Sequence, residues 1–389
     1  MAATEPHPVS VRVTLGFGGL AARRDQWEDL FRARPHEPSA SFEWTLAMAR
    51  HHVRPADQCL MVELSRQGRL QGLVPLVARN VPLLGQSIVV LTPLSEEYNT
   101  HSDLLLRSAD ADTARALIEA LFALDLTWDC FRMARLLEDG ATAVAFRQAL
   151  AGSRRAHFLR EGIAAYVLTL PETYDEYLAA RSAKFRNHLK RSERKLALAG
   201  ALTVSELDDA AGVDAGFDAL MQIERSSWKH DHGSSISAVE RQIGFYRDFC
   251  RSAHDARRLH FQWLSMDGRP VAYNLGYLYA GGYHYLKTSY DHAFRSLSPS
   301  TVLRARLLKS LIQRGVRLFD FPGEPYDWEA QWTDTVRWRQ VMSIYGRTWR
   351  GRVLGALERI RHRSRTRRVV QHVDPRASRH AQRSLPCPA

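Results

Sequence analysis

The chain has 389 residues, 45% of them hydrophobic, which is room for two domains with substantial cores and no need of stapling disulfides. Its net charge of +12 is not spread evenly: residues 346–389 hold twelve arginines, no lysine and two acids, so this tail carries +10 and everything before it about +2. That distribution argues against a general nucleic-acid-binding body and assigns any basic-surface function to the tail. Cys59, Cys130, Cys250 and Cys387 have spacings that suit neither a zinc knuckle nor a redox pair, which points to a reducing compartment. The first residues show no basic segment followed by an apolar one, and no run approaches the ~18 apolar residues of a membrane span. The expected location is cytoplasmic, with peripheral contact at the inner membrane face.

In chain order, residues 9–15 alternate like a strand, and 20–32 and 41–51 read as helices. A hairpin is predicted from 60–64 and 70–78 around Gln67-Gly68-Arg69, and strands at 88–91 and 102–106. A helix over 113–124, a strand over 130–134 and a helix over 143–151 follow. The Arg- and Gly-rich stretch 152–162 reads as a loop marking a domain junction. Beyond a strand at 165–170, Thr173 and Glu176 form a capping box for one long helix ending before Gly200. That helix carries Arg181, Lys184, Arg186, Lys190, Arg191, Arg194 and Lys195, a patch suited to an anionic acceptor. Helices are expected over 212–229 and 238–253, separated by a polar loop from Trp228 to Gly233.

The next stretch organises the chain. Strands at 259–265 and 270–279 flank Met266-Asp267-Gly268-Arg269, a hairpin turn lying 200 residues after the similar Ser65-Arg66-Gln67-Gly68-Arg69, an offset that indicates internal duplication. A strand at 282–290 leads through Ser298-Pro299-Ser300 into a helix over 301–313, whose Val302, Leu303, Ala305, Leu307, Leu308, Leu311 and Ile312 keep an apolar stripe. Gly315 stops it and a strand at 316–321 follows. A strand feeding a capped helix leaves free N–H groups and a positive dipole end beyond the strand tip, which makes a seat for phosphate or diphosphate. A closing strand at 336–345 precedes the tail, amphipathic through Val353, Leu354, Leu357 and Ile360, whose favoured partner is an anionic membrane surface.

Three segments, YDEYLAARSAKFRNHLKRSERKL, YLKTSYDHAFRSLSPSTVL and GVRLFDFPGEPYDWEAQW, resemble the GNAT-like acyltransferases of the CelD/BcsL cellulose-biosynthesis family, cousins of the FemABX ligases. Where that family commonly shows Tyr-Lys after the FDF-type strand, this chain has Tyr326-Asp327. The resemblance implies an α/β protein with mixed sheets and tandem GNAT-like repeats. Residues 1–162 would be a degenerate repeat on the acceptor side, 163–345 the acyl-CoA-binding repeat and 346–389 a basic tail. It also implies transfer from acetyl-CoA or another acyl-CoA to an amine or hydroxyl of a saccharide or envelope polysaccharide precursor.

The cofactor residues would be Ser298, Ser300, Thr301, Val302 and Arg295. Acyl transfer needs a base and a proton donor for the departing thiolate. Asp320, walled by Phe319 and Phe321, is expected to have a raised pKa suited to a base, with Glu324 as its companion. Tyr326 and Tyr290 are the expected donors. Trp228, by stacking on a sugar, His230 and Lys287 would contact the acceptor, Lys287 as an odd charge turned to solvent. His230-Asp231-His232 lacks further ligands nearby, so no metal is expected. Two alternatives stand beside this reading: a FemABX-like ligase using aminoacyl-tRNA, the one setting in which a nucleic acid is an expected partner, and a non-enzymatic adaptor held at a membrane by the tail.

Overall fold

The structure is a computed structural model describing residues 8–366 except 84, 96–99, 208–209, 232, 322 and 324; the side chains of 210–211, 231 and 361–366 are also outside the description. The first half runs β1 (Ser10–Leu15), α1 (Arg24–Arg32), α2 (Phe42–His51), β2 (Gln58–Arg66), β3 (Arg69–Leu83), β4 (Gln86–Pro93), β5 (Leu105–Leu106), α3 (Ala111–Ala123), β6 (Cys130–Leu137), α4 (Ala141–Leu150) and β7 (His157–Thr169). The second half runs α5 (Tyr174–Ala179), α6 (Ala183–Ala199), β8 (Leu202–Glu206), α7 (Ala210–Arg225), α8 (Trp228–Asp231), α9 (Glu240–Asp255), β9 (Leu259–Met266), β10 (Arg269–Tyr279), β11 (Gly282–Tyr290), α10 (Pro299–Gln313), β12 (Leu318–Asp320), β13 (Val336–Tyr345) and α11 (Trp349–Thr366).

The strands form one mixed sheet in the order β1-β2-β3-β4-β6-β13-β7-β12-β11-β10-β9-β8, with β5 paired to β3. The two halves repeat one plan. In the first, β1 to β4 pair antiparallel in sequence and β4 then pairs parallel with β6 across α3. In the second, β8 to β11 do the same and β11 pairs parallel with β12 across α10. The 200-residue offset is matched in the backbone. Gln67 and Gly68 in one hairpin, and Asp267 and Gly268 in the other, all have positive φ, the conformation that lets a two-residue turn follow strand twist.

The last strands are exchanged. β7 leaves the first half and pairs with β12 of the second, whereas β13 leaves the second half and pairs with β6 of the first, and the two lie against each other. This corrects the loop expected over 152–162, because β7 begins at His157 and runs through Gly162. Its partner is remote in sequence: a Cβ on Gly162 would lie 2.9 Å from the Arg339 carbonyl.

The helix expected from Thr173 to Gly200 is broken into α5 and α6. Thr173 caps the first and Ser182 the second, each accepting an N–H three residues on. The polar loop expected at Trp228 contains the short helix α8. On one face of the sheet α2, α7 and α9 share a core in which Trp44 packs edge-on against Phe245 (4.9 Å) and Phe249 (5.4 Å), joining the halves. On the other, α10 and α6 bury Leu307, Leu308, Leu311, Phe185 and Leu189 against Tyr283, Tyr285 and Phe319. Among the described residues no helix is long and apolar enough to cross a membrane.

Candidate active site

The sheet opens between two parallel strands. β11 and β12 pair only at Gly282/Leu318, Tyr283/Phe319 and His284/Asp320. Beyond Asp320 the chain turns to β7 through the Phe321 amide on the Tyr166 carbonyl, while β11 continues to Tyr290 with β10 as its strand partner. A bulge in that pairing sets Tyr285 opposite Gly276 and Lys287 opposite Leu275, leaving Leu286 as the extra residue. A bulge bends its strand, and here it sits just past the point where β12 departs. The far end of the opening is the start of α10.

That start differs from expectation in detail. Ser298 adopts a left-handed conformation and its side chain makes no cap hydrogen bond; its carbonyl instead accepts from the Thr301 (3.1 Å) and Val302 (3.3 Å) amides. Pro299 has no N–H to satisfy, and the Ser300 amide donates to no other backbone group. The Ser300 hydroxyl is buried without a partner. Thr301 is half-buried and Arg295 exposed in the preceding turn. Val302 is corrected as a cofactor contact: its side chain fills the core with Leu196, Leu264 and Leu303. Arg304, one turn on, is buried, its guanidinium 4.0 Å from the Trp328 ring centre and its Nε donating to the Tyr285 hydroxyl (3.2 Å).

The face of the opening away from α10 carries a cluster that the sequence did not reveal. Buried Glu224 on α7 accepts hydrogen bonds from the Tyr273 hydroxyl (2.6 Å), the Ser235 hydroxyl (2.6 Å) and the Ile236 amide (2.9 Å). Lys229 of α8 donates to the Thr288 carbonyl (2.7 Å) in the unaccompanied part of β11. Lys287, expected in solvent, is half-buried with its ammonium 5.7 Å from the Tyr246 ring centre. Burial and the charge of Lys229 push Lys287 down to about 8, against a pull from Glu224, and burial lowers Lys229 as well. Trp228 stays exposed, and His230 is an exposed ring whose Nδ1 lies 3.1 Å from the Ser237 hydroxyl.

At the base of the opening, Asp320 lies 3.0 Å from His101 Nε2 and 3.4 Å from His284 Nδ1. The expected raised pKa is overturned: burial alone would push Asp320 up, but the charges and hydrogen bonds of His101 and His284 hold it well below the usual carboxylate range. Burial would likewise lower His284, and Asp320 and Glu37 together raise it instead. His101 and Glu37 come from the first half, which sequence order could not bring to this point. Glu324 lies outside the described residues. Tyr326 is exposed and stacked on Trp328 at 6.4 Å, and Tyr290 is half-buried against the Leu196–Val302 core. Buried Glu329, whose Oε2 accepts from the Tyr326 amide (3.1 Å), is pushed by burial up to about 8.

The first half has the corresponding opening. β4 and β6 pair at Val90/Cys130 and Leu91/Phe131, and where they part lies a cavity of about 240 Å³ lined by Met48, Val77, Arg79, Thr92 and Arg132 among others. Arg79 there is committed to Asp57 (2.9 Å) and the His52 carbonyl (2.7 Å).

Two repeats, each an antiparallel run closed by a parallel strand across a helix, define a mixed α/β fold of the tandem GNAT type, with parallel strands parting in each repeat. Comparison with known proteins agrees: the model of the acetyltransferase (GNAT) domain matches residues 183–330. No curated protein matches the chain. Among solved structures, FemX is similar with a TM-score of 0.57 at 12% identity, covering 82% of this chain and 95% of its own. A conserved protein of unknown function from Bacteroides thetaiotaomicron gives 0.53 at 11% identity over 86% and 100%. The C-terminal domain of a putative lysylphosphatidylglycerol synthetase from Agrobacterium fabrum gives 0.50 at 12% over 86% and 95%. At such identities these likenesses speak for the fold.

Proposed function

We propose that this protein is an acyltransferase that moves an acyl group from acyl-CoA directly to an amine or hydroxyl of a saccharide or envelope polysaccharide precursor. The observation that carries the reading is the opening between β11 and β12, which ends at the uncapped start of α10. An extended thioester arm fits beside the free edge of β11, and its diphosphate meets the Ser300 amide at the positive end of a 15-residue helix. Basic residues of α6, which packs on α10, add to the attraction of a polyanionic donor.

The thioester carbonyl then lies near the bulge at Leu286, with Lys287 and Lys229 on the acceptor side. The acceptor nitrogen or oxygen attacks the carbonyl carbon, and neutral Lys287 takes the proton it loses. The C–S bond breaks, the thiolate departs, and the proton on Lys287 returns to it to give free thiol. No acyl-enzyme is required. The first repeat, with its cavity beside β4 and β6, would shape the acceptor side.

The exposed Lys184, Lys190, Arg191, Arg194 and Lys195 of α6 also suit RNA, which supports the aminoacyl-tRNA reading as the alternative. Thiol release measured across a panel of acyl-CoAs and amino sugars, with calorimetry of coenzyme A binding, tests the proposal. Ser300→Asp places a carboxylate where the diphosphate would sit and weakens coenzyme A binding roughly tenfold or more. If coenzyme A does not bind while charged tRNA does, with a steep salt dependence, the ligase reading replaces this one.

A further inference from the structure

Four side chains from four separate segments meet where β11 and β12 part: Glu37 ahead of α2, His101 ahead of β5, His284 on β11 and Asp320 on β12. We infer that Glu37, His101 and Asp320, with His284 beside them, form a site for one divalent transition-metal ion, with zinc as the ion their donor set suits best.

Three of the four, Glu37, His101 and Asp320, have donor atoms that converge, and His284 lies against two of them. His101 Nε2 lies 3.0 Å and His284 Nδ1 3.4 Å from Asp320 Oδ2, and His284 Nδ1 lies 3.8 Å from Glu37 Oε2. Chosen donor atoms of Glu37, His101 and Asp320 all lie within 4.8 Å of one another. Ligand atoms held tetrahedrally about 2.0–2.1 Å from zinc are separated by roughly 3.3 Å, within the span of these distances.

Hydrogen bonding alone leaves the group unfinished. Asp320 is engaged by both histidines, but Glu37 Oε2 is buried and has no hydrogen-bond partner, although buried polar atoms are nearly always paired. His101 and Asp320 are almost fully enclosed, at 0% and 1% side-chain exposure. A cation placed among them would satisfy Glu37 Oε2 while keeping the Asp320 carboxylate and the His101 ring engaged. Two carboxylates and two neutral imidazoles also balance the charge of a divalent ion, and mixed nitrogen and oxygen donors fit zinc better than calcium or magnesium.

Glu37, His101 and Asp320 supply three converging donors, and His284 Nδ1 stands beside two of them as the fourth that the ion would draw in. Two donors come from each half of the chain, so the ion would pin the first repeat to the second where the parallel strands separate. Sequence spacing could not show this, because Glu37, His101, His284 and Asp320 form no local motif. The inference is independent of the donor chosen for the acyl transfer.

The test uses the full chain, stripped by dialysis against a chelator, then titrated with zinc by calorimetry and with cobalt by visible absorption. About one equivalent of either ion should bind, cobalt should develop the d–d bands of a tetrahedral site, and zinc should raise the unfolding midpoint. Glu37→Gln and His101→Ala should weaken binding by roughly 100-fold or more and remove the zinc-dependent rise. The wild-type cobalt spectrum stands even if a variant fails to fold. Absence of both zinc heat and cobalt bands in the wild type would overturn the inference, as would undiminished zinc binding in the folded double variant.

Discussion

Lys287→Met separates the proposed chemistry from a packing role. The ammonium lies half-buried beside Tyr246 on the strand that edges the opening, and burial with the neighbouring Lys229 charge brings it from 10.5 to about 8. A base with that pKa is about one-tenth neutral at pH 7 and about nine-tenths neutral at pH 9. Saturated turnover in the wild type should therefore rise about tenfold across that interval, with its midpoint near 8. Methionine keeps most of the length and removes the amine, so turnover should fall by about 10²–10⁴ and the rise should vanish.

The methionine variant should lose turnover but gain stability. Because the folded pKa lies below that of the unfolded chain, the fold binds fewer protons between about 8 and 10.5, and stability rises with pH across that window. Below about 8 the buried charge carries its full cost, on the order of 1–2 kcal/mol after allowing for partial solvent access. The methionine variant should thus gain most at pH 7 and least at pH 10.5, as read by urea unfolding at both pH values. A variant that kept its turnover and its pH midpoint near 8 would remove Lys287 from the proton path. A stability difference that did not change with pH would refute the burial argument itself.

Two further expectations concern the frame and the surface. Gly276→Ala would set a Cβ 2.1–2.5 Å from the ring and hydroxyl of Tyr283, which is fully buried, so the folded state should lose about 1–3 kcal/mol in urea unfolding; a loss below about 0.5 kcal/mol would mean that β10 and Tyr283 yield more readily than their packing indicates. On α11, Trp349, Val353, Leu357 and Ile360 lie exposed along one stripe, and the helix's acid, Glu358, is turned to Arg160 (3.1 Å). We propose that this stripe and the surrounding arginines rest on anionic lipid: the wild type should sediment with vesicles containing phosphatidylglycerol and release them in high salt, whereas Leu357→Asp with Ile360→Asp should stay in solution. Equal sedimentation of both proteins would dismiss the stripe as a lipid contact.

The parts of the fold that rest on neighbours in sequence could be read directly. Gln67-Gly68 and Asp267-Gly268 specify their turns because few residue pairs accept two positive φ angles, and the apolar stripe from Val302 to Ile312 specifies α10 by its period. Neither serine beside Pro299 caps α10 through its side chain: Ser298 is left-handed with no cap hydrogen bond, and the Ser300 hydroxyl has no partner.

What the chain order could not contain was decided by distant partners. β7 is a strand through Gly162 because β13 lies beside it, and the halves are joined by exchanged strands that no local pattern announces. Asp320 was expected to be a desolvated base because its sequence neighbours are phenylalanines; two histidines, one of them 219 residues away, make it a firmly ionised carboxylate. Lys287 was expected in solvent because it is a lysine; helices α7 to α9 cover it and lower its affinity for a proton. Periodicity and turn chemistry are short-ranged and therefore legible in one dimension, whereas burial and charge depend on whatever the fold brings within a few ångströms, so the elements could be read from the sequence and the electrostatics of the site only from the assembled sheet.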